Sequence, residues 1–142
     1  MNIVPLTMED YDEVYSFWQS VEGMGLSSAD SREGMQTYLE RNPGMSLLAR
    51  DGGKIAGTVL CGHDGRRGYI HHLAVGEAYR GIKLGKTLVD SCIETFRKAG
   101  IHKCHIFIFI DNESGKEFWR SVDWEERNDV CLFSHDIDYP NY

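Results

Sequence analysis

Five residues suited to binding an anion lie in one short stretch, Glu77 to Asp90, which reads EAYRGIKLGKTLVD. They are Arg80, Gly81, Lys83, Gly85 and Lys86. Leucine and valine follow at helical spacing, so the basic residues fall at the start of a predicted helix. Cations are unfavourable there, because a helix N-terminus already carries partial positive charge. Their placement indicates a negatively charged ligand.

A pyrophosphate is the anion that this stretch fits best. The first N–H groups of a helix lack internal partners, and glycine lets a phosphate approach them closely. Neither GxxxxGK[ST] nor GxGxxG occurs in the chain, which argues against a Walker loop and a dinucleotide fingerprint. The alternative is that the glycines only form a turn and the lysines only face solvent.

The stretch resembles the cofactor loop of the GNAT superfamily of N-acetyltransferases, [Q/R]-x-x-G-x-[G/A] after a strand ending in a Leu-Ala-Val-like triplet. Arg80 and Gly85 fit this signature, whereas Lys83 stands where the family usually has its middle glycine. We expect Lys83 in the first helical turn. The resemblance implies acetyl-CoA as co-substrate, with its pantothenate arm paired to strand-four backbone. The cofactor-binding residues expected from it are Leu73, Ala74, Val75, Arg80, Gly81, Ile82, Lys83, Leu84, Gly85, Lys86, Asn112 and Lys116.

Two adjacent histidines precede the loop on the same predicted strand. An alkylammonium must lose a proton before it attacks a thioester, and a histidine pKa near 6.5 suits that task. Period-two alternation puts His71 on the face of Leu73 and His72 on the opposite face. We expect His71 to be the base, as the resemblance also implies for this strand. His72 is the second choice, because a bulge would reverse the alternation; both histidines could instead be core residues.

Trp119 marks a departure from the family pattern. The segment from Asn112 through Trp124 resembles the family's fourth helix, in which a tyrosine after the position of Phe118 protonates the leaving thiolate. An indole N–H donates a hydrogen bond but does not release its proton at neutral pH. Trp119 therefore either holds a water near the sulfur or only packs. Phe107 is a second departure, since it stands at a strand-five position where some relatives carry a glutamate base. The two departures keep open a GNAT-fold acyl-CoA-binding module with a regulatory or sensing role.

The element order needed to position these residues is β-α-α-β-β-β-α-β-α-β-β. This order predicts an α/β (α+β) domain with a mixed sheet over residues 1–142, and it matches the GNAT fold. We expect six to seven strands and about four flanking helices, and the resemblance implies a splay between strands 4 and 5. HKCHIFIFI is predicted as a central buried strand, WEER and VCLFSHDI as a terminal strand pair, and DYPNY as a poorly ordered tail.

Composition limits the function classes. The chain has 142 residues with 42% hydrophobic and 26% charged, as an ordinary globular domain has. A net charge of -7 argues against a nucleic-acid binder and favours a cationic second ligand. We expect a small-molecule or peptide amine as acceptor, no metal, no membrane, a cytoplasmic location, and a monomer or homodimer. The four cysteines form no CxxC pair and are expected to be buried and reduced.

Overall fold

The computed structural model describes residues 1–138 of the chain. It contains two compact units, Met1–Phe107 and the segment from Ile108 onward. Most of the predicted tail DYPNY, residues 139–142, lies outside the described residues.

The strands and helices of the first unit follow the predicted order, and the described part of the second unit contains one helix. The elements of the first unit are β1 (Asn2–Pro5), α1 (Tyr11–Ser20), α2 (Arg32–Arg41), β2 (Leu47–Asp51), β3 (Lys54–His63), β4 (Gly68–Val75), α3 (Leu84–Lys98) and β5 (Cys104–Ile106). Short 3-10 helices at Met8–Asp10, Ser28–Asp30 and Glu77–Tyr79 join them. The helix of the second unit is α4 (Glu113–Ser121).

The sheet is mixed, with the strand order β1-β2-β3-β4-β5. The strands from β1 to β4 are antiparallel neighbours, whereas β4 and β5 are parallel and are connected through α3. The parallel pairing covers three residues and ends at Ile70 opposite Ile106, although β4 continues to Val75. The expected mixed sheet and the splay between strands 4 and 5 are therefore confirmed.

Helices cover the two faces of the sheet. A Cβ added to Gly57 or Gly68 would meet Leu84 or Phe96 of α3, so α3 packs closely on one face. The other face carries the core cluster of α1, α2 and the sheet; we call it the α1/α2 face. Its buried members are Leu6, Tyr11, Val14, Trp18, Met35, Leu48, Leu60 and Ala74.

The predicted strand number and the central position of strand five are wrong. Five strands form among residues 1–138, and β5 is an edge strand of three residues. Phe107 and Phe109 are 57% and 59% exposed, so the apolar run after β5 does not form a covered strand. Residues 124–138, where the terminal strand pair was predicted, contain no strand. Strand-like composition there did not produce pairing, because a strand forms only where a neighbouring ladder accepts its hydrogen bonds.

The prediction that the cysteines are buried is confirmed for only some of the four. Cys61 and Cys92 are buried, and Cys104 is half-buried. Cys131 is exposed, in contrast to the expectation, because it lies in the segment that forms no strand.

Candidate active site

The predicted anion loop connects the end of β4 to the first turn of α3. Six consecutive backbone N–H groups, from Gly81 to Lys86, donate to no acceptor among residues 1–138. The first backbone bond of the helix is Thr87 N–H to the carbonyl of Lys83, at 3.0 Å. A row of unpaired N–H groups at a helix N-terminus is the arrangement that binds phosphate oxygens.

The charged side chains of the loop lie in solvent around these N–H groups. Arg80, Lys83 and Lys86 are exposed, whereas Leu84 and Gly85 are buried and anchor the helix. Nε–H of Arg80 donates to the carbonyl of Val75 at 3.4 Å, which ties the guanidinium to the end of β4. Lys86 pairs with Asp90 one turn along the helix, at 2.8 Å.

The sequence predicted Lys83 in the first helical turn, but the residue does not lie there. It is the residue before the helix, with φ of 64° and ψ of 21°, in the left-handed region. Gly81, two residues earlier, also has a positive φ of 84°. Left-handed backbone is easy for glycine and costly for other residues, so Lys83 occupies a glycine-like position with a cationic side chain.

The outer side of β4 is open beyond the splay. From His71 to Val75 this strand has partners in β3 but no partner in β5. Leu73 and Val75 lie in that section, and Ala74 is buried in the α1/α2 face. An extended ligand could add to this edge as a further strand would.

A β-bulge interrupts β4 at the two histidines. Thr58 pairs with Ala74 and Leu60 pairs with His71, so His72 and Leu73 together stand opposite Val59. His72 has a φ of 47°, in the left-handed region. The predicted alternation is therefore wrong for His72. The extra residue turns both imidazoles to the α1/α2 face, because a bulge reverses the facing of the residues at the insertion.

His71 lies among aromatic rings and has no hydrogen-bond partner among the described residues. Its ring is edge-on to Tyr38 of α2, with centroids 6.2 Å apart, and parallel to Tyr69, with centroids 6.4 Å apart. Burial lowers the pKa of His71 below its ordinary value, and electrostatic repulsion from the neighbouring His72 lowers it further, while Asp30 opposes both effects. His71 is therefore neutral at pH 7 and has a lone pair available to accept a proton.

His72 has a charged partner. Its Nε2 lies 2.7 Å from Oδ1 of Asp30, and its ring is edge-on to Trp18 with centroids 4.7 Å apart. Asp30 is 5% exposed and lies in the 3-10 helix between α1 and α2. The sequence motifs did not indicate Asp30 as a functional residue. The one local signal is the capping spacing Ser27-x-x-Asp30, which indicates a turn but not this pairing.

The predicted residues of the second unit occupy defined positions in α4. Asn112 caps the helix, since its Oδ1 accepts the N–H of Gly115 at 3.0 Å. Lys116 Nζ lies 3.5 Å from the carboxylate of Glu113. The ring of Trp119 packs on Trp124 with centroids 4.4 Å apart, and its indole N–H has no hydrogen-bond partner among residues 1–138. The roles of these residues in binding or catalysis stay predictions.

Neither a metal cluster nor a spanning helix occurs in the described part of the chain. No group of three or more His, Cys, Asp or Glu side chains in residues 1–138 could hold a metal ion. Over the same residues, no helix is both long enough and apolar enough to cross a lipid bilayer.

With the fold and the loop described, the chain can be compared with known protein families. The profile of the "Acetyltransferase (GNAT) family" matches residues 8–124. The chain therefore belongs to the GNAT acetyltransferase family.

Individual proteins are similar to this chain in sequence or in fold. The "Acetyltransferase SG1711" of Sodalis glossinidius is 24% identical over 132 residues, covering 93% of this chain and 92% of that protein. The aminoglycoside antibiotic 6'-N-acetyltransferase AAC(6')-IG of Acinetobacter haemolyticus has a TM-score of 0.76 at 18% identity, covering 97% of this chain and all of the other. The PaiA N-acetyltransferase of Thermoplasma acidophilum, solved with coenzyme A, has a TM-score of 0.71 at 18% identity, covering 85% of this chain and 87% of the other.

Proposed function

We propose that the protein transfers the acetyl group of acetyl-CoA to a primary amine of a small molecule or peptide by direct attack. The observation that carries the proposal is the row of six N–H groups from Gly81 to Lys86 that have no acceptor within residues 1–138, flanked by three exposed cations. This arrangement suits a pyrophosphate in a chain whose overall charge is -7. The open edge of β4 at Leu73 and Val75 suits the amide-bearing arm of the same molecule.

The histidines on the α1/α2 face supply the proton chemistry. The amine loses a proton to His71, and its lone pair attacks the carbonyl carbon of the thioester. The C–S bond then breaks, and the thiolate leaves and takes up a proton. His71 suits the role of base because burial keeps it neutral at pH 7 and its ring nitrogens have no hydrogen-bond partner in the described part of the chain.

Cofactor binding is tested by calorimetry with coenzyme A. Affinity should fall as salt is raised, because phosphate contacts are screened. Gly85→Glu should weaken binding strongly through bulk and like charge, and Arg80→Ala should weaken it through charge alone. Gly85 is buried, so the melting temperature of Gly85→Glu must be measured as well. Lys54→Ala, on an exposed residue of β3 outside the loop, is the matched control. Unchanged affinity in Arg80→Ala and in folded Gly85→Glu would contradict the proposed phosphate position.

Turnover is tested with labelled acetyl-CoA and a broad panel of amines, including aminoglycosides and N-terminal peptides. Transfer to an amine supports the enzyme. Tight coenzyme A binding without transfer supports the second candidate, an acyl-CoA-binding module with a sensing role. That candidate is favoured by Trp119 at the position where the resemblance places a tyrosine acid, and by Phe107 where some relatives carry a glutamate base.

A further inference from the structure

We propose that Asp30 and His72 form a positioning pair that fixes the β4 bulge, and so the place of His71 relative to the backbone of Leu73 to Val75. The proposal rests on the proposed function for its catalytic consequence. Its structural part, the pair and the bulge, stands on the geometry of the first unit alone.

The bulge residue has an unfavourable backbone conformation. His72 has a φ of 47°, in the region that costs a residue with a Cβ free energy and costs glycine almost none. A bulge whose first residue is left-handed most often has glycine there. Residues held in such regions persist where the surroundings over-determine them. A histidine in place of glycine indicates that its side chain performs a task.

The ring of His72 is held from two directions. Nε2 lies 2.7 Å from Oδ1 of Asp30, and the ring packs edge-on against Trp18, which is fully buried. The side chains of His72 and Asp30 are only 15% and 7% exposed. A buried carboxylate requires a partner, because desolvation of an unpaired charge is costly.

Asp30 is also held by contacts that do not involve the His72 ring. Its Oδ2 accepts the N–H of Ser27 at 3.0 Å, and its backbone carbonyl accepts the hydroxyl of Tyr11 at 2.6 Å. Both carboxylate oxygens therefore have partners, and α1 clamps the 3-10 helix that carries them. The contact connects the loop between α1 and α2 to the centre of the sheet.

The backbone of His72 is held separately from its ring. Its carbonyl accepts the hydroxyl of Thr58 at 3.1 Å, and the same oxygen of Thr58 accepts the indole N–H of Trp18 at 2.9 Å. Among residues 1–138, the titratable groups that face His72 are Asp30 and His71. The contacts from α1 and β3 are the neutral side chains of Trp18 and Thr58. Within these residues, Asp30 is therefore the one charged partner of the His72 ring.

The bulge determines how far His71 lies along β4 from the strand edge proposed to bind acetyl-CoA. His71 precedes it and is set by pairing with Leu60, whereas Ala74 and Val75 follow it and are set by pairing with Thr58 and Gly57. Loss of the inserted residue's conformation would move His71 by one residue relative to the strand edge proposed for acetyl-CoA. A misplacement of about 1 Å is enough to lower a rate by roughly 100-fold.

The experiment compares Asp30→Asn, His72→Gly and His72→Ala with His71→Asn as the matched control on the neighbouring ring. Asparagine keeps the acceptor for Ser27 but removes the charge. We expect Asp30→Asn to lower kcat by about tenfold or more, with KM for acetyl-CoA near the wild-type value. The acid limb of the pH profile should stay in Asp30→Asn and disappear in His71→Asn.

Two readouts do not depend on turnover. The ring-nitrogen NMR signals should show the Nε2–H form of His72 in the wild type, and Asp30→Asn should shift them. His72→Gly should melt at a higher temperature than His72→Ala, because glycine tolerates the left-handed backbone. His72→Gly leaves the carboxylate of Asp30 without its partner and could fold poorly for that reason. The double variant Asp30→Asn/His72→Gly removes this charge as well, and its melting temperature can then be compared with that of Asp30→Asn/His72→Ala.

Three results would overturn the proposal: wild-type kcat in Asp30→Asn, unchanged ring-nitrogen signals in that variant, or loss of the acid limb from its pH profile. Loss of the acid limb would mean that the Asp30–His72 pair, and not His71, takes the proton from the amine. A wild type that binds coenzyme A but acetylates no amine would refute the proposed function instead. The NMR signals and the melting temperatures would then decide the positioning pair by themselves.

Discussion

Two adjacent histidines on β4 share a face but differ in their surroundings. His71 lies between the rings of Tyr38 and Tyr69, and burial lowers its pKa. His72 is held by Asp30 at 2.7 Å. Adjacent residues of identical type therefore have different chemistry, because their partners come from different helices and loops.

The base is tested by His71→Ala. The rate of acetylation should fall by roughly 100-fold or more, while coenzyme A affinity stays unchanged. Because the pKa of His71 lies below its ordinary value of 6.5, the wild-type rate should rise with pH through a midpoint below that value. His102→Ala, on an exposed histidine before β5, should leave the profile unchanged. An active His71→Ala protein with the wild-type profile would contradict the assignment.

Trp119 is tested by exchange for tyrosine and for phenylalanine. If an indole N–H holds a water for the leaving thiolate, Trp119→Tyr should keep or raise the rate and Trp119→Phe should lower it. If Trp119 only packs on Trp124, both variants should lose stability and change the rate little, since the large ring contact is reduced in each. Turnover and melting temperature are measured together for the two variants. Equal rates in both would exclude the donor role.

At the level of secondary-structure elements, two requirements at the start of α3 favour different residue types at the same position. The backbone before the helix turns through the left-handed region, which favours glycine, while an anion site favours a cation. Lys83 meets the second requirement at the expense of the first, with φ of 64°.

This conflict predicts opposite changes in stability and binding for one substitution. Lys83→Gly should raise the free energy of unfolding by roughly 1 kcal/mol, since glycine is unstrained there. The same variant should bind coenzyme A more weakly, because a charge is lost. Lys83→Ala is the matched control: it loses the same charge and keeps the strain. Chemical denaturation and calorimetry check both quantities, and equal stability of the two variants would contradict the strain at Lys83.

For the whole molecule, one ion-pair network joins the N-terminal helix to the sheet. Arg50 of β2 donates to both carboxylate oxygens of Glu13, at 3.1 and 2.7 Å, and to Asp10 at 3.1 Å. The hydrogen bond from Arg50 lowers the pKa of Glu13 below its ordinary value near 4.5. The pair therefore stabilises the fold above that value, and its contribution is lost as the pH falls through the lowered pKa.

Arg50→Met removes the network and keeps most of the side-chain volume. The free energy of unfolding at pH 7 should fall by about 1 kcal/mol or less, because Glu13 is about half exposed and solvent screens the pair. Below the pKa of Glu13 the variant and the wild type should converge. Urea unfolding over a pH series measures this difference, with Arg97→Met, on an exposed pair within α3, as control. A difference that is independent of pH would mean that packing, not charge, is lost.

Local sequence determined most of the elements and the anion loop. The strand β4 carries both histidines and the triplet Leu73 to Val75, and α3 follows the basic loop directly, as expected, because hydrophobic periodicity is a local property. The prediction of an anionic ligand for the basic residues at the start of α3 likewise rests on charge and position alone.

Tertiary structure decided what periodicity could not. The bulge at His72 depends on Asp30, Trp18 and Thr58, residues that are between 14 and 54 positions away in the chain, so alternation predicted the wrong face for this ring. The terminal strands failed to form for a related reason, because strand composition supplies no partner for the backbone. Which face a side chain occupies, and whether an extended segment becomes a strand, are set by contacts between residues distant in sequence.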